Sequence, residues 1–185
     1  MELINTIRND IDLHEKIDEF CDINIYPKEQ KPENFDGSVA WNIDGLAFGC
    51  DASGGEYILL KDGSVGFNGS EGECGRVAEN INELFELLIN ISCWMDYLRK
   101  ELYDNDETLN AYILETENDY IENWDNGDYN IMQRELLDKL SVKFYENKID
   151  LVKRFYETTN REPKYICTFT EEDGSKHSTN GCIIE

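Results

Sequence analysis

The sequence predicts an α+β fold: a central, mostly antiparallel sheet flanked by helices, with a C-terminal helical extension and a terminal hairpin. Three observations predict it. Residues 39–49, 56–61, 64–68 and 74–78 are short apolar or alternating runs, each bounded by Gly, Asp or Ser, which is the pattern of consecutive strands. Before and after them, apolar residues recur at helical spacing. Asp62-Gly63 and Asp173-Gly174 stand between alternating runs, where such pairs mark hairpin turns.

Taken in order, residues 2–21 predict one helix, with Ile4, Ile7, Ile11 and Ile17 on one side and Leu13 and Phe20 near its edges. Residues 22–38 contain Pro27, Pro32 and Gly37 and predict a connecting loop. The four runs of the meander follow. Asn80 and Glu83 form a capping box for a helix carrying Ile81, Leu84, Phe85, Leu88 and Ile91 and continuing to Met95 and Leu98. A further helix is expected over 106–124, with Leu109, Tyr112, Ile113, Tyr120, Ile121 and Trp124 on one face and Asn126-Gly127 as its stop. Residues 130–156 form a third long periodic run through Leu136, Leu137, Leu140, Phe144, Leu151 and Phe155. Pro163 ends any continuation, and the tail alternates about Asp173-Gly174 as a peripheral hairpin. A chain of 185 residues is one domain's worth, divided into a core over 1–100 and an extension over 101–185.

Hydrophobic residues make up 40% and aromatics 11%, enough for a core despite a mean hydropathy of −0.59. The net charge of −23 repels nucleic-acid phosphates and excludes direct DNA or RNA binding as an expectation. It favours basic partners. The segment MELINTIRNDIDLHEK lacks the basic and apolar regions of a signal peptide, and no run approaches a membrane span. A cytoplasmic location and no membrane partner are therefore expected. The six cysteines at 21, 50, 74, 93, 167 and 182 show no CxxC spacing, and His14 and His177 are the only histidines. These features offer no zinc site and suit reduced, mostly buried thiols.

The glycine-rich stretch GCDASGGEYILLKDGSVGF (49–67) invites a phosphate or calcium reading. Its glycines lead into a strand rather than a helix, and no P-loop lysine accompanies them. Counted from Asp51, the calcium-loop positions three and five are Ser53 and Gly55, and the twelfth is Asp62, which misses the required acids. No nucleophile–base set stands out, and forty acids make any single carboxylate pair uninformative. No cofactor, metal or catalytic residue is expected. The glycines read as turns, with Gly66 marking a bulge or a close backbone approach.

Charge is distributed unevenly. Residues 101–129 hold ten acids and no Lys or Arg, interleaved with Tyr103, Tyr112, Tyr120, Trp124 and Tyr129; residues 134–164 are net positive. Acids with aromatics suit the docking of a basic protein. Two other readings remain open: a solvated acidic face whose aromatics are the core side of the same helix, and neutralisation by the basic 134–164 segment packed alongside.

Three segments in order resemble the SUKH superfamily, which includes fungal cell-wall regulators and bacterial toxin-immunity proteins. They are FGCDASGGEYILLKDGSVGF, the strand in GECGRVAEN, and the capped helix NINELFELL. The resemblance covers residues 39–98 best. It implies an α+β protein that is not an enzyme and that binds other proteins, in bacteria a cognate polymorphic toxin, often a nuclease. Combined with the charge pattern, this gives an immunity-type inhibitor as the expected function. Its partner-binding candidates are Asp104, Asp106, Glu107, Glu115, Glu117, Asp119, Glu122 and Asp125. The alternatives are a regulatory scaffold for an endogenous partner and a carboxylate-based hydrolase. The oligomeric state is left open.

Overall fold

The computed structural model describes residues 1–33, 37–125 and 127–184. The expected fold class holds: a five-stranded antiparallel sheet is flanked by helices and accompanied by a second sheet of three strands. The large sheet is built from β1 (Asn24–Gln30), β3 (Gly45–Cys50), β4 (Glu56–Leu60), β5 (Val65–Asn68) and β6 (Cys74–Ala78), in that spatial order. The small sheet joins β2 (Val39–Trp41) to the terminal hairpin, β7 (Cys167–Thr170) and β8 (Lys176–Ser178).

The large sheet is covered on both faces, which is why β6 is buried at every position. Phe48, Tyr57, Val65, Phe67 and Val77 face the helices and join one large cluster. Ala47, Ile58, Leu60 and Cys74 face the other way, against Tyr165 and Cys167. The period-two alternation of a strand separates these two sets. The terminal hairpin is therefore a covering layer rather than a peripheral one. Gly66 shows why the layer can approach so closely: a Cβ there would lie 2.7 Å from the Tyr165 ring. The β5–β6 register also shifts at Val65/Gly66, so both readings of this glycine hold.

Four hairpin connections share one design. Asp51, Leu60, Gly69 and Glu171 each donate their backbone N–H to the carbonyl four residues on and accept from the glycine three residues on. These glycines, 54, 63, 72 and 174, have φ between 81° and 98°. This is the three-residue loop that ends in a left-handed glycine, so the Asp62-Gly63 connection runs over three residues rather than two. In two of the connections, the Asp51 and Asp62 carboxylates close the turn by accepting from Ser53 and Ser64.

Several expected elements are divided. The first helix is two, α1 (Glu2–Asn9) and α2 (Ile11–Cys21), because the Asp10 carboxylate accepts from Leu13 N at 3.1 Å and caps a new start. Ile11, expected on the apolar side, is 76% exposed. The loop expected over 22–38 contains β1; Pro27 is tolerated because β1 is a sheet edge. Residues 34–36 of that loop lie outside the described residues. The run 39–49 is split between two sheets.

Helix α3 (Ile81–Ile91), capped by Asn80, stops at Ser92 with φ 65°; Met95 and Leu98 follow in short 3-10 turns and their flanks. Helix α4 (Asp106–Asn123) matches its expected span, although Asn126 of its stop lies outside the described residues. The run 130–156 is two helices, α5 (Tyr129–Leu140) and α6 (Ile149–Thr159), separated at Ser141 with φ 53°. Phe144 falls in the connection and is half exposed. Leu109, Ile113, Leu136, Leu137, Leu151 and Phe155 all join the main cluster, so the helices of the extension pack into the same core as the sheet.

Candidate functional site on the fourth helix

Helix α4 begins where the Asn105 side chain accepts from Glu107 N (2.8 Å) and Thr108 N (3.2 Å). Asp106 and Glu107 lie in its first turn, where carboxylates suit the helix dipole. Eighteen residues give a rod about 27 Å long with three distinct sides.

The inner side is apolar. Leu109 is 0% exposed and Ile113 3%. The aromatics of the acidic block also belong here. Tyr112 meets Tyr97 edge-on at 5.7 Å, and Trp124 meets Phe20 at 5.4 Å. Tyr120 donates its hydroxyl to Asp96 Oδ2 at 3.1 Å. Burial pushes the Asp96 carboxyl up, opposed by that hydrogen bond. Tyr103 stacks on Tyr156 at 4.3 Å, and Tyr129 is buried against Ser92. These rings build the core, as the solvated-face reading has it, and do not project as interface anchors.

One flank faces α6. Lys148, at the N-terminus of α6, pairs with Glu117, and Lys153 pairs with Asp106 at 2.6 Å. Neutralisation by the 134–164 segment is therefore real, but it reaches only these two of the eight candidate acids.

The outer side remains charged. Glu107, Glu115, Asp119 and Glu122 on the helix, with Asp104 and Asp125 just beyond its two ends, are exposed and make no ion pair among the described residues. Asp119 accepts from the Asn123 side chain at 2.9 Å. Two aliphatic residues share this face: Leu114 is 52% exposed and Ile121 37%. They lie seven residues apart, which is about two helical turns. Ile121 was expected on the core face and is instead exposed. Its neighbour Tyr120 takes the inner position, and adjacent helix residues diverge by about 100°. Sequence reasoning missed Leu114 altogether; its place seven residues before Ile121 is the available signal. The outer face is thus an acidic field around two apolar contacts, suited to a basic protein surface with a small apolar spot.

A second concave feature lies between the large and small sheets, a cleft of about 780 Å³ bordered by Trp41, Glu56, Glu71, Glu73, Phe169 and His177. Glu56 is 4% exposed. It accepts from Tyr26 Oη at 3.3 Å and Glu33 N at 2.8 Å, and burial raises its carboxyl above the ordinary range. His177 stacks on Phe169 at 5.2 Å and meets Glu171 at 3.2 Å, whereas the Cys182 thiol donates to Ile184 O. His14 accepts from Ile25 N at 3.1 Å and secures β1 to α2.

Among the described residues, no three His, Cys, Asp or Glu side chains converge as a metal site. No helix there is long and apolar enough to cross a membrane. In comparison with known proteins, the chain matches no family model, no curated protein and no solved structure.

Proposed function

We propose that this protein is a non-catalytic, cytoplasmic binding module of the immunity type, which neutralises a basic, nuclease-type toxin by presenting the outer face of α4. The observation that carries the reading is the set of six exposed carboxylates around Leu114 and Ile121, left unpaired while the neighbouring Asp106 and Glu117 are satisfied internally. Unpaired like charges held on a rigid helix disfavour self-association and speed the encounter with a basic partner. The reading also draws on the resemblance of the segments that form the β3–β6 meander and the Asn80-capped α3 to SUKH immunity proteins. Direct nucleic-acid binding is disfavoured by the same field.

Co-expression with the product of the neighbouring gene tests the proposal. Recovery of a stoichiometric complex, together with rescue of growth from that protein, is the expected result. A neighbour that is neither toxic nor bound would favour the alternative of a scaffold for an endogenous partner. The hydrolase alternative centres on the cleft around Glu56 and would need a turnover that disappears in Glu56→Gln.

A further inference from the structure

Cys74 and Cys167 are ninety-three positions apart in the chain, on different sheets, yet each reaches the segment that leads into the other's strand. The Cys74 thiol points to the carbonyl of Tyr165 at 3.7 Å, two residues before Cys167. The Cys167 thiol points to the carbonyl of Gly72 at 3.9 Å, two residues before Cys74. This reciprocal crossing sets the two thiols close together in one buried cluster with Tyr165. Both residues are free and buried. Their surroundings differ in one respect: Cys167 borders the cleft between the sheets, while Cys74 lies behind it among Ala47, Ile58 and Tyr165. A reagent entering the cleft meets Cys167 first.

We propose that Cys167 is a thiol-exchange site for small cationic disulfides and that Cys74 is its resolving partner, so that the two sheets become cross-linked. The charge of the cleft selects the reagent: Glu33, Glu56, Glu71 and Glu73 border it, and among the described residues no Lys or Arg does. In the first step the Cys167 sulfur, as thiolate, attacks one sulfur of the small disulfide. That S–S bond breaks, a mixed disulfide forms on Cys167, and the departing thiolate takes up a proton. In the second step Cys74 gives up its proton and its sulfur attacks Cys167, releasing the second small thiol. The protein dithiol is oxidised by two electrons, and the reagent is reduced to two thiols. The local chemistry suits these roles. The neighbouring Cys74 thiol holds Cys167 down, against the opposing effect of burial, with Thr179 assisting. The same proximity, with burial, pushes Cys74 up. The site that titrates lower is the better attacker near neutral pH.

The experiment treats the folded protein with cystamine or with oxidised glutathione at low ionic strength, then maps peptides by mass spectrometry after trapping free thiols. The wild type is expected to lose two hydrogens across the Cys74 and Cys167 peptides, at least tenfold faster with cystamine than with the anionic disulfide. Cys74→Ser should stall as a mixed disulfide on Cys167, and Cys167→Ser should leave Cys74 unreacted. Circular dichroism establishes that each variant is folded, and the wild-type peptide map stands whether or not the variants fold. Cross-linking that appears only in denaturant, reaction at Cys74 ahead of Cys167, or equal rates with the two reagents would overturn the proposal.

Discussion

Arg76, 1% exposed, meets Asp62 at 2.8 Å and ties the β4–β5 turn to β6. The guanidinium also donates to Asp62 Oδ1, to Ser64 Oγ and to Pro163 O, so one buried cation holds the turn, the sheet and the segment leading to the small sheet. Burial works to raise the Asp62 carboxyl, but the hydrogen bonds from Ser64 and Arg76 outweigh it and hold it at about 2. The ordinary aspartate value is 3.8, so the stabilisation is complete above about pH 4 and is lost as pH falls toward 2. The carboxylate is about a third exposed, and with solvent screening the pH-dependent part is about 1–2 kcal/mol. Asp62→Asn leaves Arg76 buried without its counter-charge and should cost about 2–3 kcal/mol at pH 7. Urea unfolding at pH 7 and between pH 2 and 4 checks both points. A variant as stable as the wild type at pH 7, or one with an unchanged acid slope, would refute the assignment.

The closeness of the two sheets at Gly66 gives a second expectation. A methyl group 2.7 Å from the Tyr165 ring must displace a ring whose hydroxyl donates to Asn68 Oδ1 at 3.0 Å. Gly66→Ala should destabilise by about 2 kcal/mol and shift the near-ultraviolet signal of the tyrosines. A neutral substitution would mean that the small sheet does not sit on β5.

The α5–α6 connection depends on Asn90. This residue is 0% exposed, donates to Glu86 O (2.8 Å) and Lys143 O (2.9 Å), and accepts from Tyr145 N (2.9 Å). Asn90→Ala strands the Lys143 carbonyl and the Tyr145 amide. The expected cost is about 2–3 kcal/mol, with faster hydrogen exchange at the Tyr145 amide. Unchanged exchange there would contradict the role given to Asn90.

The sides of α4 separate stability from binding. Leu109→Ala removes a fully buried side chain and should cost about 3 kcal/mol. Leu114→Ala, on the exposed side, should change stability by less than about 0.5 kcal/mol and weaken the complex with a basic partner. Thermal denaturation of both variants, followed by calorimetry on Leu114→Ala, distinguishes the two effects. A Leu114→Ala protein that binds normally would remove this residue from the interface.

The sheet was legible because its strands are short, alternating and closed by Asp, Gly and Ser, and because the same glycine-terminated loop recurs. The strand β1 was not, since Pro27 argues for a loop unless the strand is known to be an edge, and edge position is a tertiary fact. Helix breaks were equally hidden. Asp10 caps α2 from within an unbroken apolar period, and Ser92 and Ser141 end helices at positive φ, which is usually given to glycine. In the candidate site, the acids were legible from composition alone. Which of them are spent internally depends on α6 lying alongside α4. The exposure of Ile121 depends on Tyr120 taking the inner position, and period counting does not separate two apolar neighbours.

The most direct test of the central claim is calorimetry between this protein and the product of the neighbouring gene, which the account expects to be basic, at low and at high salt. It would compare the wild type with Glu115→Lys/Glu122→Lys and with Lys153→Met, which alters only the internal pair. The account predicts affinity that falls steeply with salt, a loss of at least tenfold in the double charge reversal, and near-normal binding in Lys153→Met. Salt-independent binding, or full affinity after charge reversal, would contradict it.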